Sequence, residues 1–158
     1  MRQQPNAATA EIETDDVSIQ YGELNNHLGY FIRRAQQWIF RDANSTLAHL
    51  RLDVVRYSIL EMVSANPGIS QVALSGGLGI ERARLVALLD ELEKLHFITR
   101  QRSTTDRRSH ALHLTPEGHA VVKEANHLIA AHEEKVIERV GPDAYPLLLA
   151  ALSTFRSG

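Results

Sequence analysis

The sequence contains no cysteine. That excludes disulfides, thiolate nucleophiles, thiol redox sensing and cysteine-ligated zinc in one step. Long apolar runs are missing too. "LLLAAL" at 147–152 is far short of the ~20 residues that a helix needs to cross a bilayer. Residues 1–20 are polar and acidic, unlike an export signal, which is basic and then apolar. The expectation is a cytoplasmic chain with no membrane partner. Catalytic signatures are absent as well, with no Gly-x-Ser-x-Gly and no His-Glu-x-x-His. "SGGLG" at 75–79 lacks the Lys-Ser/Thr ending and the preceding strand of a phosphate loop. Enzyme is the least supported class, and no cofactor is expected.

Lysine is scarce: 14 of the 17 basic residues are Arg. Arginine suits planar, bidentate and groove-inserted contacts better than lysine does. Net charge is −2, but it is unevenly spread. Arg2 against Glu11, Glu13, Asp15, Asp16 and Glu23 leaves −4 over residues 1–25 and +2 over the rest. Within 81–108 the excess is a modest +2, too small to establish a nucleic-acid partner by itself. At 158 residues, 44% of them hydrophobic, the chain is long enough for one domain with a real core.

Residues 1–20 lack periodicity and read as a flexible acidic arm. From Gly22, the residues Leu24, Leu28, Phe31, Ile32, Ala35, Trp38 and Ile39 recur at three- and four-residue steps. This predicts an amphipathic helix reaching the mid-forties. Asp53 is a good N-cap for a second helix that "NPG" at 66–68 ends. Ser70 caps a short third helix, "QVALSGGL", in which Gly76 and Gly77 each cost ~1 kcal/mol relative to Ala. A fourth helix runs from about Ile80 to Leu95 on Leu85, Leu88, Leu89, Leu92 and Leu95.

The period then switches from 3.6 to 2. "FITRQR" (97–102) and "SHALHL" (109–114) read as strands joined by "STTDRR". Thr115 N-caps the next helix, with Pro116 at its first position. "GPDAYP" at 141–146 breaks that helix, and a last apolar helix runs to Phe155. Three short helices followed by a hairpin is the order of a winged helix-turn-helix. The fold class is mostly α with a small β-hairpin wing. The expected divisions are an arm over 1–20, an N-terminal dimerisation helix over 21–50, the winged module over 51–115 and C-terminal dimerisation helices over 116–158. The two flanking segments have little of their own to cover, so they are expected to bury each other's stripes across a two-fold axis in a homodimer.

Eight histidines, five of them between 110 and 132, raise a metal site. His110 and His113 sit three apart on a strand and point to opposite faces, and no His-x-x-x-His pair occurs. No metal is expected, and the histidines read as ordinary surface or interface residues.

"PGISQ" at 67–71, "LVALLDELE" at 85–93 and "DRRSHALHLTPEG" at 106–118 occur in order. Together they resemble the core of MarR-family transcriptional regulators, and the similarity covers about residues 24–155. The resemblance implies a homodimeric repressor or activator that binds double-stranded palindromic DNA. Its recognition helix would lie in the major groove and its wing in the adjacent minor groove. Arg82 and Arg84 are the expected base contacts, with Glu81 and Ala83 as neighbours. Ser70 and Gln71 open the third helix, where free N–H groups face phosphate. By the family pattern, Asp106 braces Arg108 in the minor groove while Arg107 lies against phosphates.

Two departures stand out. Val86 and Ala87 occupy positions where the family often has Thr and Arg, which puts a backbone contact in doubt. His96 stands where a helix-ending Gly is common, so a different cap geometry is expected there. The resemblance also implies a small-molecule effector, an aromatic acid or its CoA thioester, held where the dimerisation helices meet the DNA-binding lobe. The candidates are His27, Arg34 and Arg56 as polar anchors and Tyr30, Trp38 and Tyr57 as walls. The alternatives are a winged-helix module for protein contacts and a constitutive DNA-binding protein without an effector.

Overall fold

The computed structural model describes residues 19–102 and 110–156. The chain divides into two compact units, Met1–Ala35 and Gln36–Gly158. In the first, a 3-10 turn over Gly22–Asn26 leads into helix α1 (Leu28–Leu47), whose second half belongs to the other unit. Tyr21 and Phe31 flank Tyr30, with ring centroids 5.9 and 5.4 Å from it. The periodic residues Leu24, Leu28, Phe31 and Ile32 are all exposed. The stripe legible in the sequence is real and uncovered within this unit.

The second unit contains the rest of α1, then α2 (Val54–Ala65), β1 (Ile69–Ser70), α3 (Gln71–Leu78) and α4 (Arg82–Lys94). β2 (Ile98–Arg102), β3 (His110–Leu114), α5 (Pro116–Val140) and α6 (Ala144–Ser153) follow. The helix starts follow the side chains that satisfy the free N–H groups. Asp53 accepts from the Arg56 amide at 2.7 Å, Ser70 from Ala73 at 3.2 Å and Thr115 from Gly118 at 2.9 Å. α4 begins at Arg82 rather than Ile80, because Glu81 is its cap. α6 starts inside "GPDAYP", where Pro146 lies within its first turn and has no amide to lose.

The sheet is antiparallel in the order β1-β3-β2. Ile98 pairs with Leu114 and Arg100 with Leu112, while Ile69 pairs with the same Leu112 from the other side. Leu112 and Ile98 are buried, so the period-2 pattern carries the wing base into the core. That core is one cluster in which Leu47, Ile59, Leu60, Leu74, Leu89 and Leu92 are completely enclosed.

Two glycines explain close approaches. A Cβ on Gly77 would stand 2.6 Å from the Met62 side chain, so α3 packs tightly on α2. A Cβ on Gly118 would stand 1.9 Å from the Phe97 carbonyl oxygen, so α5 begins hard against the turn before β2. Thr115 completes that joint. Its amide donates to the Phe97 carbonyl at 3.1 Å and its hydroxyl to the His96 carbonyl at 2.5 Å.

The cap after α4 differs from the sequence expectation. His96 takes the left-handed conformation, φ 60°, that glycine normally supplies. Its amide donates to Glu93 at 2.9 Å and the Phe97 amide to Leu92 at 3.0 Å, the usual glycine-type closure. The geometry is retained and the side chain bears the strain, about 1–2 kcal/mol for a residue with a Cβ.

Candidate nucleic-acid interface

α4 buries Leu85, Leu88, Leu89 and Leu92 and turns Arg82, Ala83, Arg84, Val86 and Ala87 outward. The helix is therefore a rod with one face in the core and a mixed basic and apolar face outside. Among the described residues neither Arg82 nor Arg84 is ion-paired with a carboxylate. Arg82 meets Gln71 and Val72 of α3 across a small cleft of about 140 Å³, floored by Leu85 and Val86. Val72 is 58% exposed and Val86 41%, so two apolar side chains flank the cations on this face.

Glu81, expected as a neighbour of the base contacts, has a second task. Its carboxylate accepts from the Ala83 amide at 3.0 Å and from the Arg84 amide at 3.1 Å. Those two bonds hold its carboxyl below the usual range and keep it ionised at the positive end of α4. Ser70 both caps α3 and pairs with Ala111 of β3. The α3 entry is thus hydrogen-bonded to the wing strand. Arg100 on β2 ties the wing to α4 from the other edge. Its Nη2 donates to Asp90 at 2.5 Å, while its Nε stands 3.6 Å from Glu93, beyond hydrogen-bonding reach. Ser70, Gln71, Arg82, Ala83 and Arg84 therefore lie on elements locked to one sheet. Asp106, Arg107 and Arg108 lie outside the described residues. The Arg100 tie and β1 were missed by sequence reasoning; the alternation around Arg100 was visible, but its partner was not.

The effector candidates do not form one group. His27, Tyr30 and Arg34 belong to the first unit, where His27 and Arg34 are exposed and Tyr30 is half-buried. Arg56 is taken up by Asp53 and Glu91, with its Nε 3.1 Å from Glu91. The Glu91 bond is the main cause of its raised pKa. Tyr57 packs against the core, and burial raises its phenol. Trp38 joins α1 to α5: its ring lies 6.4 Å from that of His132, with the Arg139 guanidinium 4.8 Å above it.

His132 corrects the expectation of surface or interface histidines. It is only 3% exposed, and its Nδ1 lies 2.8 Å from Asp42. Lys135 reaches the same carboxylate oxygen at 3.2 Å. The His132 and Lys135 bonds hold the Asp42 carboxyl below the ordinary range.

Among the described residues no helix is long and apolar enough to cross a membrane. A model of the MarR family matches residues 52–110, from the entry to α2 to the first residue of β3. A Thauera aromatica protein described as the transcriptional regulator for the hcr operon is 33% identical over 106 residues, 66% of this chain. The match spans 64% of that relative's length. The transcriptional repressor CouR, solved on a 23-mer DNA duplex, is 39% identical with a TM-score of 0.84, covering 88% of this chain and 99% of that one. CouR solved with p-coumaroyl-CoA is 36% identical with a TM-score of 0.81, over 89% and 99%. Escherichia coli MarR, at 22% identity and a TM-score of 0.71 over 82% and 96%, shares the fold. The order of helices and hairpin read from periodicity thus recurs along nearly the full length of a solved repressor, and the chain belongs to the MarR family.

Proposed function

We propose that this protein is a homodimeric, ligand-responsive DNA-binding transcriptional regulator. It acts as a repressor that a small aromatic acid or its CoA thioester releases. The observation that carries the reading is the outward face of α4: Arg82 and Arg84 stand without carboxylate partners among the described residues, on a helix braced to the wing. A rod of this width fits the major groove, where an arginine bonded bidentately to guanine is worth ~1–3 kcal/mol of discrimination. Ser70 and Gln71 would meet phosphate at the α3 entry. Asp106, Arg107 and Arg108 would reach the next minor groove, where negative potential favours a guanidinium.

Dimerisation accounts for apolar surface that a lone chain leaves wet. On α6 and just beyond it, Leu147 is 72% exposed and Phe155 74%. Two-fold pairing through this helix and α1 would set two recognition helices about one DNA turn, ~34 Å, apart. The effector class is supported by the CouR complex with p-coumaroyl-CoA. Of the six effector candidates, Arg56 and Tyr57 are already engaged and Trp38 is packed between His132 and Arg139, whereas His27 and Arg34 are exposed. A ligand that alters the spacing of the recognition helices would lower affinity for a fixed half-site separation.

The test is binding to the DNA upstream of the protein's own gene, measured by fluorescence anisotropy across a salt series. A steep fall in affinity with salt is expected, as is a tenfold or greater loss in Arg108→Ala. p-Coumaroyl-CoA or a phenolic acid is expected to release the DNA. Salt-independent binding, or none, refutes the reading and leaves a module for protein contacts. Unchanged binding with every such ligand leaves a constitutive DNA binder.

A further inference from the structure

Val72 is the second residue of α3 and Val86 the fifth of α4, and both are exposed. Valine is a poor choice for an exposed helix position, because the helix restricts its χ1 and solvent returns nothing for that loss. Apolar side chains scattered singly over a surface are ordinary. These two converge. With Gln71, Arg82 and the buried Leu85 they line the cleft of about 140 Å³ between the two helices. Neither helix propensity nor packing within the chain accounts for a pair of valines at this place.

The groups around the cleft narrow what can fill it. The Ala83 and Arg84 amides at the start of α4 already donate to Glu81, so they are not offered to a phosphate. The valines have no polar atom to give one. Arg82 is the charged member of the lining, and among the described residues it has no carboxylate partner. The valine wall also has a fixed place. Arg100, bonded to Asp90 at 2.5 Å, brings the same Nη2 to 3.5 Å from the Val86 carbonyl oxygen. In the major groove, thymine presents the one methyl group found among the four bases, and guanine the pair of acceptors that suits arginine. An apolar cleft beside an unpaired guanidinium complements those two base edges together.

We propose that Val72 and Val86 determine operator specificity by enclosing the C5-methyl group of a thymine, next to a guanine that Arg82 bonds. The inference rests on the DNA-binding reading of α4 and deepens it. Cytosine in that place leaves the cleft without its methyl, and a purine sets polar atoms against the valines. Burial of one methyl group corresponds to about a fourfold change in affinity. Over the two half-sites of a homodimer, that becomes about fifteenfold.

The test compares two synthetic duplexes of the DNA upstream of the protein's own gene by fluorescence anisotropy with the full chain. One is natural, and the other carries deoxyuridine in place of every thymine, which removes the methyl groups and keeps every donor and acceptor. Wild type should bind the uracil duplex about fifteenfold more weakly. The double variant Val72→Ala, Val86→Ala should bind the two duplexes within twofold of each other. It should also unfold at the same or a higher temperature than wild type, since both sites are exposed and alanine is the better helix former. Wild type binding both duplexes equally, with a steep salt dependence, overturns this inference and leaves the proposed function standing. A uracil penalty that persists undiminished in the double variant reports duplex shape and overturns it too. Tighter binding when 5-methylcytosine replaces cytosine, without a uracil penalty, assigns the methyl to the wrong base for this inference and overturns it. No salt-dependent binding to either duplex overturns both readings.

Discussion

Gly118→Ala is the sharpest test of how the winged module is joined to α5. In the helix, alanine is favoured over glycine by ~1 kcal/mol. The added methyl, however, would stand 1.9 Å from the Phe97 carbonyl oxygen and 2.9 Å from its carbon. Backbone must therefore retreat by roughly 1.5 Å to reach ordinary contact. The displaced carbonyl accepts the Thr115 amide, and its neighbour on His96 accepts the Thr115 hydroxyl. Losing both bonds costs ~2 kcal/mol at the usual ~1 kcal/mol each. Overpacking against backbone adds ~1–3 kcal/mol. Against the propensity gain, the net loss is about 3 kcal/mol. For a chain of this length that is a fall of roughly 10 °C in the unfolding midpoint. Thermal and urea unfolding at one fixed protein concentration measure it, since assembly makes midpoints concentration-dependent. A change within ~0.5 kcal/mol would refute the joint as described.

Gly76→Ala is expected to do the opposite, raising stability by ~1 kcal/mol in urea unfolding, because nothing lies within 4 Å of its added methyl and the helix gains propensity. Asp42→Asn removes a carboxyl whose folded-state pKa is depressed by His132 and Lys135. The stabilisation from such a group is complete above the unfolded value of about 3.9 and is lost as pH falls through and below it. Wild type should therefore lose its margin over the variant between about pH 5 and pH 3, read as midpoint against pH. Arg100→Met keeps the stem but strips Asp90 and Glu93 of their cation, so unfolding should show a loss of ~1–3 kcal/mol.

The local part of this fold was legible because local chemistry decides it. Asp53, Ser70 and Thr115 announce three helix starts, and each caps as the sequence implies. The switch of period near Phe97 announces the hairpin. What stayed hidden depends on chain segments that meet only after folding. β1 is two residues long and exists because β3 offers an edge to Ile69 and Ser70. Asp42 and His132 lie 90 positions apart, and nothing in either neighbourhood announces the other. Arg51 read as an ordinary polar residue and His96 as a departure from the usual cap, because a left-handed backbone has no signature beyond glycine or asparagine. At the candidate interface, the residue types were readable from Arg82 and Arg84. The capping task of Glu81 was not, since glutamate is an uncommon N-cap.

The strand order β1-β3-β2 also fixes a sequence of events during synthesis. The middle strand is the last to be made, so Ile69 and Ile98 have no ladder partner until residues 110–114 emerge from the ribosome. A nascent chain ending before that point carries two unpaired strand edges and an open core. Shelter by the ribosome or a chaperone is most useful over this interval, and a truncation just short of His110 would accumulate as aggregate rather than as a smaller folded module.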